Sequence, residues 1–323
     1  MKHLFNQLKK KQGYDNRHKM CPHCGRFVSE GDTKCSYCDG NIGHIRVSKT
    51  RGSMQSDGRL ETVMTAAGIC ILFYMIQAMK SHELMGYILE LPGVPDIQFP
   101  EGSLFSAYLN PSTVVSIFAG SIVVPNALGT EVWRNLQYMF LHGGPFHLFF
   151  NLSALSYLGI QIKEYFGIRR FWVLLVVSGF VGGLCNALVS YWQSDYPGNT
   201  VGISGAIFGL AGALYSYYRA TGDVLLADKY KKFLVFINIL FIVVSMIGVP
   251  IANSAHLGGM FTGMALGYLM HIKSSWKLLQ VFEQVALIAL AVLWFYGLYR
   301  VALNLSDLDA SFRYYQSTFL LFS

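Results

Sequence analysis

Apolar residues along this chain are grouped into long runs that polar connections separate. A helix needs about 20 mostly apolar residues to cross the hydrocarbon region of a bilayer. Seven runs are long enough to be predicted as membrane-spanning helices. They lie at residues 62–80, 136–160, 170–192, 202–219, 232–250, 254–272 and 281–303. A further apolar segment, 112–128, contains Pro125 inside a long connection, so we predict a re-entrant or interfacial piece there.

Composition and charge agree with a membrane protein. Of the 323 residues, 53% are hydrophobic and only 13% are charged, whereas soluble domains carry about a quarter of charged residues. Residues 1–59 hold twelve Lys or Arg against five Asp or Glu, and the rest of the chain holds thirteen of each. A basic head before the first span predicts a cytoplasmic N-terminus. The first twenty residues lack an apolar core, so we do not expect a cleaved signal peptide there.

The charges of the connections test the predicted sides of the membrane. With the N-terminus inside, connections 161–170, 219–232 and 271–280 are cytoplasmic, and each contains Lys or Arg. The short external connections, 193–201 and 250–253, contain neither. This distribution follows the positive-inside rule and favours seven spans. If the 112–128 segment crossed fully, every later side would invert.

The same patterns predict the organisation of the chain and its surroundings. We expect a cytoplasmic head at 1–45, a basic linker at 46–60, a membrane domain at 61–303 and an external tail at 304–323. The expected location is the bacterial inner (plasma) membrane. Basic residues of the head can also bind anionic lipid headgroups. Nucleic acid is not an expected partner, because the basic head lacks an aromatic platform on which bases could stack.

Four cysteines in the head form two C-x-x-C pairs, CPHC and CSYC. They are Cys21, Cys24, Cys35 and Cys38. Two such pairs about ten residues apart can close one tetrahedral thiolate site for zinc, so the head resembles a zinc ribbon. Two disulfides or a redox pair are the alternative, which a reducing cytoplasm disfavours. We predict a structural zinc ion, and a head that is structural or binds a cytoplasmic partner.

Four polar residues on three predicted spans share one depth near the external face. Ser204 opens the fourth span, His256 opens the sixth, and His147 and Asn151 lie in the first turns of the second. Polar groups at such depth usually face a protein interior or a water-filled cavity. Packing alone does not readily explain groups at matched depth on three helices.

These residue types suit nucleophilic catalysis. Ser204 needs a base to become a nucleophile, and His256 can supply one near neutral pH. His147 and Asn151 are spaced i, i+4, so both can donate hydrogen bonds to an oxyanion, together with the Ser204 N–H. Asp195, in the preceding external loop, is a weak candidate for a third member. We therefore predict a dyad, with no metal or organic cofactor at this site.

The motifs in this order resemble those of the rhomboid intramembrane serine proteases. They are EVWR (131–134), HGGPFHLFFN (142–151), GISG (202–205) and AHLGGMFTG (255–263). The resemblance implies an all-α fold with a six-helix core, here with a seventh C-terminal span. It also implies an endopeptidase that cleaves transmembrane or juxtamembrane segments of other membrane proteins, preferring helix-weakening sequences with a small residue at the cut.

By this resemblance each motif residue has an expected role. Ser204 is the nucleophile, His256 the general base, and His147 and Asn151 the oxyanion donors. The expected supporting residues are Gly202, Gly205, Phe208, Trp133 and Arg134. Phe208 stands where many relatives have tyrosine, and an aromatic ring there can still stack on His256.

Two other functions are compatible with parts of the pattern. A catalytically silent relative would bind transmembrane clients, but the intact set of four polar residues argues against it. A transporter would place its polar site at the midplane and show internal repeats, and we find no convincing repeat.

Overall fold

The structure is a computed structural model of the chain. The residues it describes are 18–20, 27–29, 32–41, 59–89, 109–193, 199–272 and 276–307. The chain divides into two compact units, Met1–Ser56 and Asp57–Ser323. The predicted linker before residue 59 and the predicted tail after residue 307 lie outside the described residues.

The head unit contains two short antiparallel pairings. Strand β1 (His18–Met20) pairs with β2 (Phe27–Ser29), and a single bridge joins Lys34 to Asn41. Each pairing encloses one C-x-x-C pair in sequence. Cys35 and Cys38 are described, whereas Cys21 and Cys24 lie outside the described residues. The described residues of the head therefore contain short β pairings, unlike the helices of the second unit.

The second unit is built from α-helices, as the apolar runs predict. Its principal helices are α1 (Arg59–Leu89), α2 (Thr113–Phe118), α3 (Arg134–Gln137), α4 (Pro145–Trp192), α5 (Ser204–Thr221), α6 (Val224–Met246), α7 (Asn253–Ile272) and α8 (Lys277–Ser306). Among the described residues, three helical segments are long and apolar enough to cross a membrane by the joint criteria of length and composition: Leu60–Leu84, Pro145–Trp192 and Lys277–Ser306. The chain is a multi-pass membrane protein.

Helix α4 joins the predicted second and third spans. Its 48 residues would extend about 72 Å if straight, which is more than twice the thickness of a bilayer core. Gly167 breaks the helix with φ of 82° and ψ of 173°. The predicted 161–170 connection is thus a kink with helix on both sides. The predicted span 136–160 begins later than expected, at Pro145, because 3-10 and α turns occupy 134–140.

The apolar segment at 112–128 does not cross the membrane as one helix. It contains α2, which has six residues, and a 3-10 turn at Asn126–Leu128. Six helical residues extend about 9 Å, far less than a bilayer core. The segment is buried against the rest of the unit, with Val115, Phe118 and Ala119 fully enclosed.

Helices α5 and α7 pack with almost no side-chain volume between them. A Cβ atom added at Gly259 would lie 2.0 Å from Gly205 O, and one added at Gly263 would lie 1.9 Å from Gly209 O. Small residues at such positions let backbones approach closely within a membrane. This close approach brings the N-terminal ends of α5 and α7 together.

Helix α8 is held to the core at both of its ends. Near its start, the buried carboxylate of Glu283 lies 2.7 Å from Arg169 Nη2 and 2.7 Å from Arg170 Nε, just after the α4 kink. Near its end, Arg300 Nη2 lies 3.3 Å from Glu131 Oε1. Helix α8 therefore packs on the core through these charged groups as well as through the apolar side chains of Val301 and Leu305.

Candidate active site

Ser204 is the first residue of α5, and the loop before it is held in a fixed conformation. Gly202 has φ of 120°, a region that residues with a Cβ rarely adopt. The Gly202 N–H donates to Tyr138 O over 2.9 Å. A Cβ at Gly205 would lie 3.0 Å from the Tyr138 hydroxyl and 3.2 Å from Ala255 O. Both predicted supporting glycines thus stand where the backbone needs an unusual φ or a close contact.

Ser204 and His256 are in direct contact. Ser204 Oγ lies 2.8 Å from His256 Nε2, and His256 is 4% exposed. When Nε2 accepts the serine proton, the ring carries its own proton on Nδ1. That Nδ1 atom has no hydrogen-bond partner among the described residues. Asp195, the weak candidate for a third member, lies outside the described residues.

Two aromatic rings fix the orientation of the His256 imidazole. Phe208, one turn beyond Ser204 on α5, stacks on it with ring centroids 4.5 Å apart and planes inclined by 10°. Phe241 of α6 contacts it at 5.2 Å and 45°. Stacking on one side and a tilted contact on another restrict rotation of the ring without adding a second hydrogen bond.

His147 and Asn151 meet the same loop from α4. A Cβ at Gly202 would lie 2.8 Å from His147 Nε2 and 3.5 Å from Asn151 Nδ2. The Gly143 N–H donates to His147 Nδ1 over 3.5 Å, which favours the tautomer with hydrogen on Nε2. Asn151 Nδ2 is buried and has no hydrogen-bond partner among the described residues. Two nitrogen donors therefore lie beside Gly202, two residues before Ser204.

Trp133 and Arg134 are both buried, and Arg134 binds several parts of the long connection. Arg134 Nη1 donates to Ile117 O over 2.6 Å and to Ser121 O over 3.0 Å, and Arg134 Nε lies 2.7 Å from Glu131 Oε2. Burial alone would raise the pKa of Glu131, but Arg134, with smaller contributions from Asn126 and Arg300, holds that pKa below its ordinary value of 4.5. The Arg134 cation therefore ties together three points of the connection.

Several polar residues near the site were not singled out from the sequence. Gln77 of α1 accepts from the His142 N–H over 3.1 Å and donates to Ser116 Oγ over 3.0 Å. His142 in turn packs its ring against His147, with centroids 5.1 Å apart. Asn186 of α4 bonds to Thr200, shortly before Ser204, and to Ser254, shortly before His256. The available signal was that Gln77 and Asn186 are lone amides inside apolar runs, where polar groups require partners.

The arrangement has the chemical parts of a serine nucleophile site. A hydroxyl contacts an imidazole acceptor, the imidazole is enclosed by aromatic rings, and amide and imidazole donors face the adjoining backbone. The described residues include no group of three or more His, Cys, Asp or Glu side chains able to hold a metal ion, here or in the head. Cys35 and Cys38 are among the described residues, and Cys21 and Cys24 are not.

Comparison with known proteins gives consistent results. A family profile described as "Rhomboid domain" matches residues 129–273. RHOMBOID-like protein 1 of Arabidopsis thaliana is 34% identical over 144 residues, covering 44% of this chain and 36% of that protein. RHOMBOID-like protein 4 of the same plant is 32% identical over 170 residues, covering 51% and 41%. Rhomboid protease GlpG of Salmonella paratyphi A is 29% identical over 143 residues, covering 43% and 49%.

These alignments span less than half of the length of each of those relatives. The matched profile nevertheless includes the connection around Trp133, the His147–Asn151 helix turn, Ser204 and His256. The helical fold, its candidate membrane spans and the family profile agree with one another. Together they show that residues 129–273 of this chain, within a helical membrane unit, are similar to a rhomboid domain.

Proposed function

We propose that this chain is an intramembrane serine endopeptidase of the rhomboid type. The observation that carries the proposal is the 2.8 Å contact between Ser204 Oγ and His256 Nε2. A serine hydroxyl becomes a nucleophile when a positioned base within this distance accepts its proton. The name of one relative, a rhomboid protease, describes the same class of activity.

The proposed reaction follows from the positions of these groups. Ser204 Oγ attacks the carbonyl carbon of the substrate while its proton moves to His256 Nε2. His147, Asn151 and the Ser204 N–H donate hydrogen bonds to the oxyanion, each contributing roughly 3 kcal/mol to lowering the barrier. His256 then gives the proton to the leaving amine, and an acyl-enzyme remains. Water then attacks the ester carbonyl while His256 Nε2 takes its proton. The ester C–O bond breaks, the imidazolium returns that proton to Ser204 Oγ, and the second product leaves.

The proposed substrates are transmembrane or juxtamembrane segments of other membrane proteins. A helical segment hides its carbonyls in i to i−4 hydrogen bonds, so it must unwind locally before Ser204 can reach one. Helix-weakening residues and a small residue at the cut are the expected preferences. Membrane lipid is the solvent of both protein and substrate.

We place the N-terminus in the cytoplasm and the opening of the site at the external face, in a bacterial inner membrane. Arg219 lies at the end of α5 opposite to Ser204, and Lys229 and Lys232 lie in the first turns of α6. Cytoplasmic ends of spans carry an excess of Lys and Arg, which supports this orientation.

The decisive experiment compares the wild type with Ser204→Ala in liposomes. Both proteins receive a single-span substrate with small residues near its external end, and both are treated with a fluorophosphonate probe. We expect cleavage and labelling in the wild type and neither in the variant, with the thermal unfolding midpoint unchanged. Absence of both signals in a folded wild type would refute the proposal and favour a silent relative that binds transmembrane clients.

We also propose that the head holds a structural zinc ion through Cys21, Cys24, Cys35 and Cys38, and that it binds a cytoplasmic partner. Cys35 is fully buried, and the Tyr37 N–H donates to Cys35 Sγ over 3.4 Å, a contact that suits a thiolate ligand. The ion would supply folding free energy to a unit too small to have a core of its own. Elemental analysis should find one zinc per chain, and Cys35→Ser should reduce that content. Zinc equal in both proteins would refute the assignment.

A further inference from the structure

Asn186 joins two parts of the chain that are distant in sequence. It lies on the second half of α4 and is 5% exposed. Its Nδ2 donates to Thr200 Oγ1 over 2.8 Å, and its Oδ1 accepts from Ser254 Oγ over 2.9 Å. A single side-chain amide is therefore bonded through both of its polar atoms.

The two partners belong to the segments that carry the serine and the histidine. Thr200 comes shortly before Gly202 and Ser204, and Ser254 is in the first turn of α7, just before His256. The backbone of Thr200 is also paired with Ile122, through N···O distances of 3.1 Å and 3.3 Å. The loop before the serine is thus held on one side by the long connection and on the other by Asn186.

We propose that Asn186 is a positioning residue that fixes the separation of Ser204 and His256, and this proposal rests on the proposed function. The Thr200–Asn186–Ser254 bridge connects the chain before the nucleophile to the helix turn before the base. Phe208 and the α5–α7 backbone contacts involve residues that follow Ser204 and His256 in sequence, whereas this bridge binds residues that precede them. The bridge therefore adds a contact on the N-terminal side of both Ser204 and His256.

The geometry explains why an amide occupies this position. The bridge uses one donor and one acceptor, since Ser254 donates its hydroxyl proton to Oδ1 and Thr200 Oγ1 accepts from Nδ2. Leucine has a similar volume but offers neither. Aspartate keeps an acceptor for Ser254, and the Thr200 hydroxyl can rotate to donate to its second oxygen. The two substitutions therefore separate hydrogen bonding from simple filling of space.

The test measures the reaction of Ser204 in full-length wild type, Asn186→Leu and Asn186→Asp. The readouts are the rate of fluorophosphonate labelling, and kcat and KM for the single-span substrate, all well below the unfolding midpoint. We expect Asn186→Leu to lower the labelling rate and kcat about 10- to 100-fold with little change in KM, as misplacement of reacting groups by up to about 1 Å does. Asn186→Asp should retain a rate within a few fold of the wild type.

Two further variants make the result specific. Asn304→Leu is the matched control, because Asn304 is also an amide on a long helix, α8. Its Nδ2 donates to the backbone carbonyl of Phe118 over 3.3 Å, and Phe118 belongs to α2, which carries neither Ser204 nor His256. The Asn304→Leu variant should label at the wild-type rate. Thr200→Val combined with Asn186→Leu should be no slower than Asn186→Leu alone, because each change breaks the same bridge.

The outcomes distinguish this inference from the proposed function. If the wild type neither labels nor cleaves, the proposed function fails and the positioning role fails with it. If the wild type reacts and Asn186→Leu reacts equally fast, only the positioning role is refuted. If Asn304→Leu loses as much rate as Asn186→Leu, or if Asn186→Asp does, then Asn186 contributes to folding and not to placement of the dyad.

Discussion

Replacement of Gly259 by alanine should separate the two helices that carry Ser204 and His256. Gly259 lies one turn after His256 on α7 and faces Gly205, the residue directly after Ser204. A Cβ at Gly259 would be 2.0 Å from Gly205 O, 2.7 Å from its carbonyl carbon and 3.3 Å from its Cα. All three atoms belong to backbone, so no side chain can rotate away to make room.

The size of the effect follows from these distances. Because a Cβ atom does not approach a carbonyl oxygen more closely than about 3 Å, α5 and α7 must separate by about 1 Å. If the same movement acts on the dyad, the contact between Ser204 Oγ and His256 Nε2 lengthens from 2.8 Å to about 3.8 Å, beyond hydrogen-bond distance. We expect a loss of about 1 to 3 kcal/mol in stability and of about 100-fold in the rate of the serine.

Thermal unfolding in detergent tests the expected loss of stability, and the rate of fluorophosphonate labelling tests the expected loss of serine reactivity. Gly68→Ala is the matched control, because Gly68 also lies within a long helix, α1, and a Cβ there meets nothing within 4 Å. It should label normally and be equally or slightly more stable, since alanine favours helix. Normal stability and labelling in Gly259→Ala would refute the packing argument. Lower stability with normal labelling would show that the dyad does not depend on that contact.

Three other changes should have measurable effects. Phe208→Ala removes the ring stacked on His256 and should slow labelling about tenfold, equivalent to roughly 1.4 kcal/mol, whereas Phe208→Tyr should keep the wild-type rate. Glu283→Gln leaves the Arg170 cation without its carboxylate and should lower stability by about 3 kcal/mol in a detergent unfolding assay; an unchanged midpoint would refute this. The pKa of Glu131 is held below 4.5, so its ionised form stabilises the fold above that pH, and this stability is lost as pH falls through the lowered value. Glu131→Gln should therefore reduce the loss of unfolding midpoint between pH 6 and pH 3, as followed by circular dichroism.

The helices of the membrane unit were predictable because each apolar run is long. The fourth and sixth predicted spans begin within a few residues of α5 and α7. The boundaries around α4 were not, since the apolar residues 138–141 look like the start of a span but form a 3-10 turn at Tyr138–Phe140 and the extended residue Leu141. Hydropathy reports burial, and a buried connection has the same composition as a buried helix.

The contact between Ser204 and His256 was expected from their matched depth on two helices and from the motif resemblance, and the structure places the two side chains 2.8 Å apart. Its surroundings were not. Phe241 reaches His256 from α6, and nothing in the α6 sequence distinguishes this phenylalanine from its lipid-facing neighbours. Which face of a helix is turned inward depends on packing with helices elsewhere in the chain.

The polar residues inside apolar runs show where sequence reasoning stops and why. A polar group in a membrane span needs a partner, so the sequence shows that Gln77, Asn186 and Glu283 must each have one. It does not show which, because the partners are His142, Ser254 and Arg170, each more than sixty positions away. Proximity is set by the order in which helices pack, and the polar pairs then hold that order. A lone amide in an apolar run is therefore a prediction of a contact across the fold, and in this protein one such amide, Asn186, connects the segment before Ser204 to the helix turn before His256.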